Sequence, residues 1–286
     1  VPFDLRGETA TATARLRAGE TLRLGLHWTR PGAPSRIWTA AQLDAWLAET
    51  LAAWRGWSRL HQGYQGTYQE AVQHSGRVLQ ALSHQPTGAI VAAATTSLPD
   101  EIGGERNWDY RYSWVRDASL TLNALWVAAC PDEAADFFSF LADSAADCGP
   151  PGTLQIMFGV GGEQDLAERE LPWLRGWRDS RPVRIGNGAW RQTQLDVYGE
   201  LLDAALLLAD RLAGPDPKVC AFLVSLADAV ARHWRRPDHG IWEIRGAPRH
   251  YLHSKVMCWA ALDRAISLAG FLRAAGRLPY WRRTRE

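Results

Sequence analysis

The chain has 286 residues, of which 47% are hydrophobic and 22% are charged, and its formal net charge is +1. This composition is enough to bury a substantial core, either as one large domain or as one domain with an additional piece. Because the charge is close to zero and Lys and Arg are scattered, apart from a cluster at residues 282–285, nucleic acid and anionic membranes are not expected partners.

The cysteines and the absence of long apolar runs predict a cytoplasmic protein. The four cysteines have no CxxC spacing and are too sparse for a disulfide scaffold, so we expect free, mostly buried thiols at Cys130, Cys148, Cys220 and Cys258. No apolar run approaches 18 residues, and no signal-peptide pattern is present in these residues. Residue 1 is Val rather than Met, which leaves room for an upstream segment.

Residues 9–29 alternate polar and apolar side chains, with a glycine-containing turn at 18–20. This alternation predicts a β-hairpin. Two strands cannot form a stable sheet alone in water, so we expect the hairpin to be the end of a larger upstream sheet. The segment RPGAPS at 30–35 then has the composition of a linker.

After the linker, the pattern becomes helical. Thr39 is the predicted N-cap of a helix through Trp54. The residue spacing predicts further helices over residues 67–83, 115–129, 132–147, 189–213, 218–235 and 254–275.

The predicted helix at 189–213 has two apolar stripes, and only a narrow charged stripe remains for water. Asp196, Glu200, Asp203 and Asp210 form this charged stripe. A helix that is apolar on two sides is packed on two sides. This favours a double-layered helical barrel over a four-helix bundle.

Three loops, at 86–118, 176–194 and 240–255, combine aromatic residues, Arg and carboxylates with Gly and Pro. Each loop leads into a helix, and loops at one end of a helical barrel converge on a common funnel. Aromatic rings suit the apolar faces of a pyranose, and Arg and carboxylates suit its hydroxyls. The sequence therefore predicts a sugar site with no cofactor and no metal.

The same residue types also occur in purely structural roles. Trp and Tyr are often core residues, and Arg116 with Asp117 could be an ion pair at a helix N-terminus. His250 and His253 are spaced for a metal but have no third ligand. The Gly186-Asn187-Gly188 segment does not match a dinucleotide-binding fingerprint.

The chain carries RNWDYRYSWVRDASLTLNAL at residues 106–125, PVRIGNGAWRQTQLDVYGELLDA at 182–204 and GIWEIRGAPRHYLHSKVMCWAALDRAI at 240–266. In this order, the three segments resemble glycoside hydrolase family 15, which includes glucoamylases, glucodextranases and bacterial trehalases. Residues 86–104 and 154–163 resemble the bacterial branch.

The resemblance implies a mainly α fold, an (α/α)6 toroid preceded by a β-sandwich. Residues 1–30 would be the last strands of the sandwich, 31–62 a linker with a helix, and 63–286 about the first half of the toroid. The exposed edge of half a toroid could pair with a second copy of the chain, giving a homo-oligomer.

The resemblance also implies inverting hydrolysis of a terminal α-glucosidic bond. Glu243 aligns with the general acid, and Arg116 and Asp117 align with the pair that grips the terminal glucose. The remaining substrate-binding residues implied by the resemblance are Tyr110, Trp114, Trp177, Arg181, Arg184 and Trp242.

Two questions stay open at this point. The family's general base lies on a later loop, and between 267 and 286 the only carboxylate residue is Glu286, so we expect the base to be missing from this chain. The function is then either a glucoamylase-like or trehalase activity of a more complete chain, or sugar binding by an incomplete one. The substrate could be a maltooligosaccharide, an isomaltooligosaccharide or trehalose, and Ile244 after Glu243 agrees with the bacterial branch.

Overall fold

A computed structural model describes residues 2–7, 9–34, 36–61, 63–127, 132–146, 153–209 and 216–286. The fold is mainly α, as predicted. The chain divides into two compact units, Val1–Leu60 and His61–Glu286. The assignment of residues 1–30 to a β-sandwich stays a prediction.

The hairpin of the first unit lies earlier than the sequence predicted. Strands β1 (Asp4–Arg6) and β2 (Thr9–Thr11) pair antiparallel. Residues 12–29 form no strand, although the predicted turn is present, with the Glu20 amide donating to the Arg17 carbonyl at 3.0 Å. The apolar side chains of this segment are solvent-exposed, up to 101% at Leu26. Alternation alone does not make a strand when the apolar face has nothing to pack against.

Helix α1 (Ala40–His61) begins where the sequence predicted and continues past Trp54. Thr39 Oγ1 accepts a hydrogen bond from the Gln42 amide at 3.2 Å, and Gln42 Oε1 accepts one from the Thr39 amide at 2.9 Å. This reciprocal pair is a capping box, so the N-cap prediction is confirmed.

The second unit contains seven α-helices among the described residues. They are α2 (Gln69–Ala81), α3 (Val115–Val127), α4 (Asp132–Ser144), α5 (Asp196–Leu208), α6 (Pro217–His233), α7 (Leu252–Ser267) and α8 (Leu278–Arg285). Short 3-10 helices cover Trp177–Asp179, Gly188–Arg191 and Ala275–Arg277. The predicted helix at 189–213 therefore starts later, at Asp196, and the predicted helix at 254–275 ends earlier, at Ser267.

Three two-stranded antiparallel ribbons connect these helices. Strand β3 (Ser83–His84) pairs with β4 (Ala89–Ile90), β5 (Ser113–Trp114) with β6 (Met157–Phe158), and β7 (Arg169–Glu170) with β8 (Arg184–Ile185). The β5–β6 ribbon runs directly into α3, because the Val115 amide donates to the Ile156 carbonyl at 2.9 Å. The ribbon thus fixes where α3 begins.

The helices of the second unit alternate between two layers. Helix α5 packs against α3 and α7, while α6 packs against α4 and α8, and contacts between α5 and α6, α6 and α7, and α7 and α8 join the two layers. The two-layer prediction is confirmed. The charged stripe predicted on α5 is wrong for Asp196, which is fully buried, because its carboxylate faces Arg116 rather than water. Asp203 pairs with Arg264, and Asp210 lies outside the described residues.

Two cysteines fall within the described residues. Cys220 and Cys258 are free and buried, as predicted, and burial raises the pKa of Cys258 to about 12. Cys130 and Cys148 lie outside the described residues. Across the described part of the chain, no helix combines the length and the apolar character needed to span a bilayer.

Gly199 allows α5 and α7 to approach closely. A Cβ atom at this position would lie 2.4 Å from the Met257 carbonyl oxygen on α7. We expect Gly199→Ala to destabilise the protein by about 1–3 kcal/mol, because overpacking outweighs the gain in helix propensity. Urea unfolding would measure the loss.

Gly276→Ala is the matched control, because a Cβ atom there meets nothing within 4 Å in the same unit. We expect this control to change the stability by less than about 0.5 kcal/mol. A Gly199→Ala protein as stable as the wild type would show that α5 and α7 can move apart without cost.

Candidate active site

The three loops singled out in the sequence meet at one cavity of about 420 Å³. The first loop lines it with residues between Ala92 and Asp117, the second with Asn187 and Ala189, and the third with Ile241, Trp242, Glu243 and Arg245. Segments far apart in the chain therefore share one cavity within the second unit.

Glu243 lies on a tight turn at the edge of this cavity. Its amide donates to the Gly240 carbonyl at 3.2 Å, and both residues have positive φ, 66° at Gly240 and 51° at Glu243. A left-handed conformation is unfavourable for a glutamate, and such strain is concentrated at functional sites. The neighbouring Trp242 lines the cavity but is 84% exposed.

The carboxyl of Glu243 is held by two donors from the junction of β5 and α3. Its Oε1 accepts a hydrogen bond from Trp114 Nε1 at 2.9 Å and another from Arg116 Nη2 at 3.1 Å. The Glu243 side chain is 24% exposed, so it stays accessible from the cavity. The two donors fix where this carboxyl oxygen lies.

Arg116 is the central cation of the site. Its guanidinium also donates from Nη1 to Gln194 Oε1 at 2.8 Å and to Asp196 Oδ2 at 3.1 Å. Burial alone would lower the pKa of Arg116, but the carboxylates of Asp196, Glu243 and Asp117 outweigh it, and the pKa is raised. Arg116 is therefore always charged.

Aromatic side chains of the first loop form the wall of the cavity. The rings of Tyr110 and Trp114 lie 5.9 Å apart at 45°. Burial, together with the carboxylates of Asp100, Glu243 and Asp117, raises the pKa of Tyr110. Its hydroxyl thus stays protonated and can donate a hydrogen bond to a ligand.

Trp108 also lines the cavity, and two guanidinium groups lie over its ring. The Cζ of Arg245 is 4.1 Å from the ring centroid and that of Arg184 is 4.7 Å from it. Glu168 accepts a hydrogen bond from Arg245 Nη2 at 2.8 Å and forms an ion pair with Arg184, whose Nε lies 3.3 Å from Glu168 Oε1. This assembly stiffens the wall of the cavity on the side of the second and third loops.

The structure brings together most of the residues implied by the family resemblance. Six of them line the cavity: Tyr110, Trp114, Arg116, Asp117, Trp242 and Glu243.

The other three do not line it. Arg184 is buried, and it donates to the Glu105 and Asn107 carbonyls besides its ion pair with Glu168. Trp177 and Arg181 are exposed in a segment with left-handed residues at 178 and 179.

Sequence reasoning assigned no role in the cavity to Trp108, Asn187 and Arg245, although all three line it. Trp108 belongs to the same aromatic segment as Tyr110, and Arg245 follows Glu243 by two residues, so both signals were present. Among the described residues, no three His, Cys, Asp or Glu side chains come together as metal ligands.

Asp238 does not line the cavity but holds together the segments around it. This fully buried carboxylate accepts hydrogen bonds from the Leu195 amide at 2.9 Å and from Ser254 Oγ at 2.7 Å. Its backbone also pairs with Arg249. Asp238 therefore ties the starts of α5 and α7 to the loop that carries Glu243.

We expect Asp238→Ala to lower the free energy of unfolding by about 3 kcal/mol or more. The change removes two hydrogen bonds to a charged acceptor, and each contributes about 1.5–3 kcal/mol. Asp143→Ala is the control, because this residue lies in α4 and its exposed pair with Lys218 is worth less than about 1 kcal/mol. Equal urea midpoints for the two variants would contradict the supporting role.

The chain is similar in sequence to known glycoside hydrolases. The chain matches the family model for glycosyl hydrolases family 15 over residues 66–286. It is 42% identical to a trehalase of Mycolicibacterium smegmatis over 283 residues, which are 99% of this chain and 42% of that protein. No solved structure matches the chain closely.

Two further relatives carry the same name. A trehalase of Mycobacterium tuberculosis is 42% identical over 93% of this chain and 39% of its own length. A trehalase of Thermoplasma acidophilum is 38% identical over 82% of this chain and 40% of its own length. The chain thus spans about two fifths of the length of the relatives it matches.

Proposed function

Because the chain belongs to glycosyl hydrolases family 15, we propose that its cavity binds the terminal glucose of an α-glucoside and that Glu243 is the general acid of its hydrolysis. One observation carries the proposal. Glu243, Arg116 and Asp117 come from two distant segments and line the same cavity. Rings, a cation and carboxylates on one concave surface are the groups that a sugar needs.

In the proposed mechanism, Glu243 gives its proton to the glycosidic oxygen as that oxygen leaves C1 of the glucose. A water molecule on the opposite face of the ring is activated by a second carboxylate, so the configuration at C1 inverts. Asp117 and Arg116 hold the hydroxyls of the terminal glucose. The aromatic wall of Tyr110 and Trp114 packs against the ring and excludes water.

We place the general base outside these 286 residues. The chain spans about two fifths of its relatives, and Asp263, late in the chain, is held by Arg264 and Arg285 rather than lining the cavity. In the proposed function, this chain supplies the glucose-binding residues and the proton donor.

Trehalose is the substrate we favour, because the three relatives described above are named trehalases. Trehalose joins two glucose units through both anomeric carbons, so its hydrolysis needs the same grip on a terminal glucose. Maltooligosaccharides and isomaltooligosaccharides are the alternative substrates of a glucoamylase-like activity.

Calorimetric titration of the purified chain with trehalose, maltose and isomaltose tests the binding proposal. We expect trehalose to bind and Asp117→Asn to weaken its binding by about 10- to 150-fold, since a charged hydrogen bond contributes about 1.5–3 kcal/mol. Asp179→Asn makes the same chemical change on an exposed loop and should bind as the wild type does. Failure of all three sugars to bind would contradict the proposal.

A further inference from the structure

Gln192 and Gln194 lie at the end of the second loop, just before α5; Gln192 contacts Glu243, and Gln194 contacts Arg116, which holds the Glu243 carboxyl. Gln192 Nε2 donates to the Glu243 carbonyl at 3.1 Å and, more weakly, to the Ile244 carbonyl at 3.4 Å. Gln194 Nε2 donates to Gln192 Oε1 at 3.1 Å. Gln194 is itself buried, and its Oε1 accepts from Arg116 Nη1.

These contacts close a ring around Glu243. From the backbone carbonyl of Glu243, the ring passes through Gln192, Gln194 and Arg116, and it returns to the Glu243 carboxyl at 3.1 Å. One residue is therefore held at both its backbone and its side chain by a single hydrogen-bonded network.

The donor and the acceptor of every hydrogen bond in this ring follow from two groups with fixed roles, the guanidinium of Arg116 and the backbone carbonyls of residues 243 and 244. A guanidinium can only donate, so Gln194 must turn its oxygen to Arg116 and its amide nitrogen to Gln192. Gln192 must then turn its own oxygen to Gln194, which leaves its nitrogen for the carbonyls of residues 243 and 244. Carbonyls only accept, so every partner in the ring is satisfied with both amides in one orientation.

We propose that Gln192 and Gln194 are positioning residues for the proton donor, an inference that rests on the proposed role of Glu243. The turn that carries Glu243 has a left-handed glutamate, which is intrinsically unfavourable. The amide of Gln192 stabilises this turn by binding its carbonyls, while Arg116 sets the direction of the carboxyl. The ring thereby couples the backbone strain at residue 243 to the orientation of its side chain.

The indole N–H of Trp114 reports on this geometry without any ligand, because it donates to Glu243 Oε1. We expect Gln192→Leu to shift the Trp114 indole signal in the ¹H–¹⁵N spectrum of the purified chain, with the signal assigned from Trp114→Phe. The indole of Trp281, fully buried and bonded to Asp228 at 2.9 Å, should stay in place. Gln69→Leu, the same change at an exposed position of α2, should shift neither signal.

A second variant separates positioning from folding. Gln192→Glu keeps the size of the side chain and an acceptor for Gln194, but its carboxylate has no N–H for the carbonyls of the turn. A Trp114 shift in both variants, with Trp281 unchanged, supports the inference. An unchanged Trp114 signal in a folded variant would overturn it, as would both signals moving in both variants, since that would mean a general role in the fold.

Ligand affinity separates this inference from the proposed function. 1-Deoxynojirimycin is a glucose-shaped cation, so its binding needs the Glu243 carboxylate in place, whereas that of neutral glucose depends less on this group. We expect Gln192→Leu to weaken the binding of 1-deoxynojirimycin about tenfold and that of glucose less than twofold. The tenfold loss of affinity equals about 1.4 kcal/mol. If the wild type binds neither, the proposed function fails and the inference with it. If both proteins bind the two ligands equally, only the inference fails.

Discussion

Replacing Arg116 with methionine is expected to lower the free energy of unfolding by about 3–5 kcal/mol, because it leaves a buried carboxylate without its cation. Asp196 is fully buried, and Arg116 is the cation with which it pairs, at 3.1 Å. The variant also leaves the buried Gln194 oxygen without its donor. A loss of this size is a large part of the total stability of a typical domain, which is about 5–15 kcal/mol.

The measurement is urea unfolding of the variant beside Arg249→Met, which makes the same change at an exposed arginine of the third loop. The control should change the stability by less than about 0.5 kcal/mol. Adding Asp196→Asn to the Arg116→Met protein should recover part of the loss, because the buried charge is gone. A single variant that loses less than about 1 kcal/mol would show that water reaches Asp196.

Arg116 also illustrates what could be predicted from the sequence. The segment at 106–118 indicated a site because of its residue types, and the start of α3 at Val115 agrees with the predicted helix start. That the three loops would share one cavity followed from their convergence at one end of a helical barrel, whereas the choice of Arg116 and Glu243 within them came from the family resemblance. The site segment, the helix start and the shared cavity depend on residue type and local pattern, which a sequence contains.

Arg184 and the first unit illustrate what could not be predicted from the sequence. Arg184 stands in a site loop, yet its guanidinium pairs with Glu168 and faces the Trp108 ring instead of lining the cavity. The direction of the Arg184 side chain depends on Glu168, sixteen residues earlier, and on packing against Trp108 of the first loop. Neither contact produces a periodic pattern in the sequence. The alternation at 12–29 failed for a related reason, since a strand needs a partner that the alternation does not specify.

The ring through Gln192 and Gln194 was also invisible in the sequence. Glutamines between a loop and a helix are common, and nothing in their spacing indicates that one would bind Arg116 and the other the backbone at 243. Only the folded geometry, with α3, α5 and the third loop side by side, brings these groups together.

Replacing Glu243 with glutamine is expected to have the largest effect on chemistry, a loss of about 10²- to 10⁴-fold in the cleavage of trehalose. Since we place the general base outside this chain, the reaction is run with sodium azide as the nucleophile. Azide forms a bond to C1 from the face opposite the leaving group while the C1–O bond breaks. Glu243 transfers its proton to that oxygen and regains one from water, so the products are β-glucosyl azide and glucose.

The leaving group decides whether Glu243 acts as the acid. α-Glucosyl fluoride releases fluoride with much less need for a proton, so Glu243→Gln should slow its reaction by less than about tenfold. Glu101→Gln makes the same change at an exposed residue of the first loop and should leave both reactions unchanged.

Each alternative gives a different pattern of products. Equal losses on trehalose and on the fluoride would mean that Glu243 shapes the cavity without donating a proton. Hydrolysis of trehalose by the wild type without azide would mean that the chain contains its own base, and the carboxylates of Asp100 and Asp117, which share the cavity with Glu243, would be the first to test. Absence of any azide product from the wild type would mean that the cavity binds a sugar without activating it, because a correctly placed acid and an external nucleophile together are sufficient for this substitution.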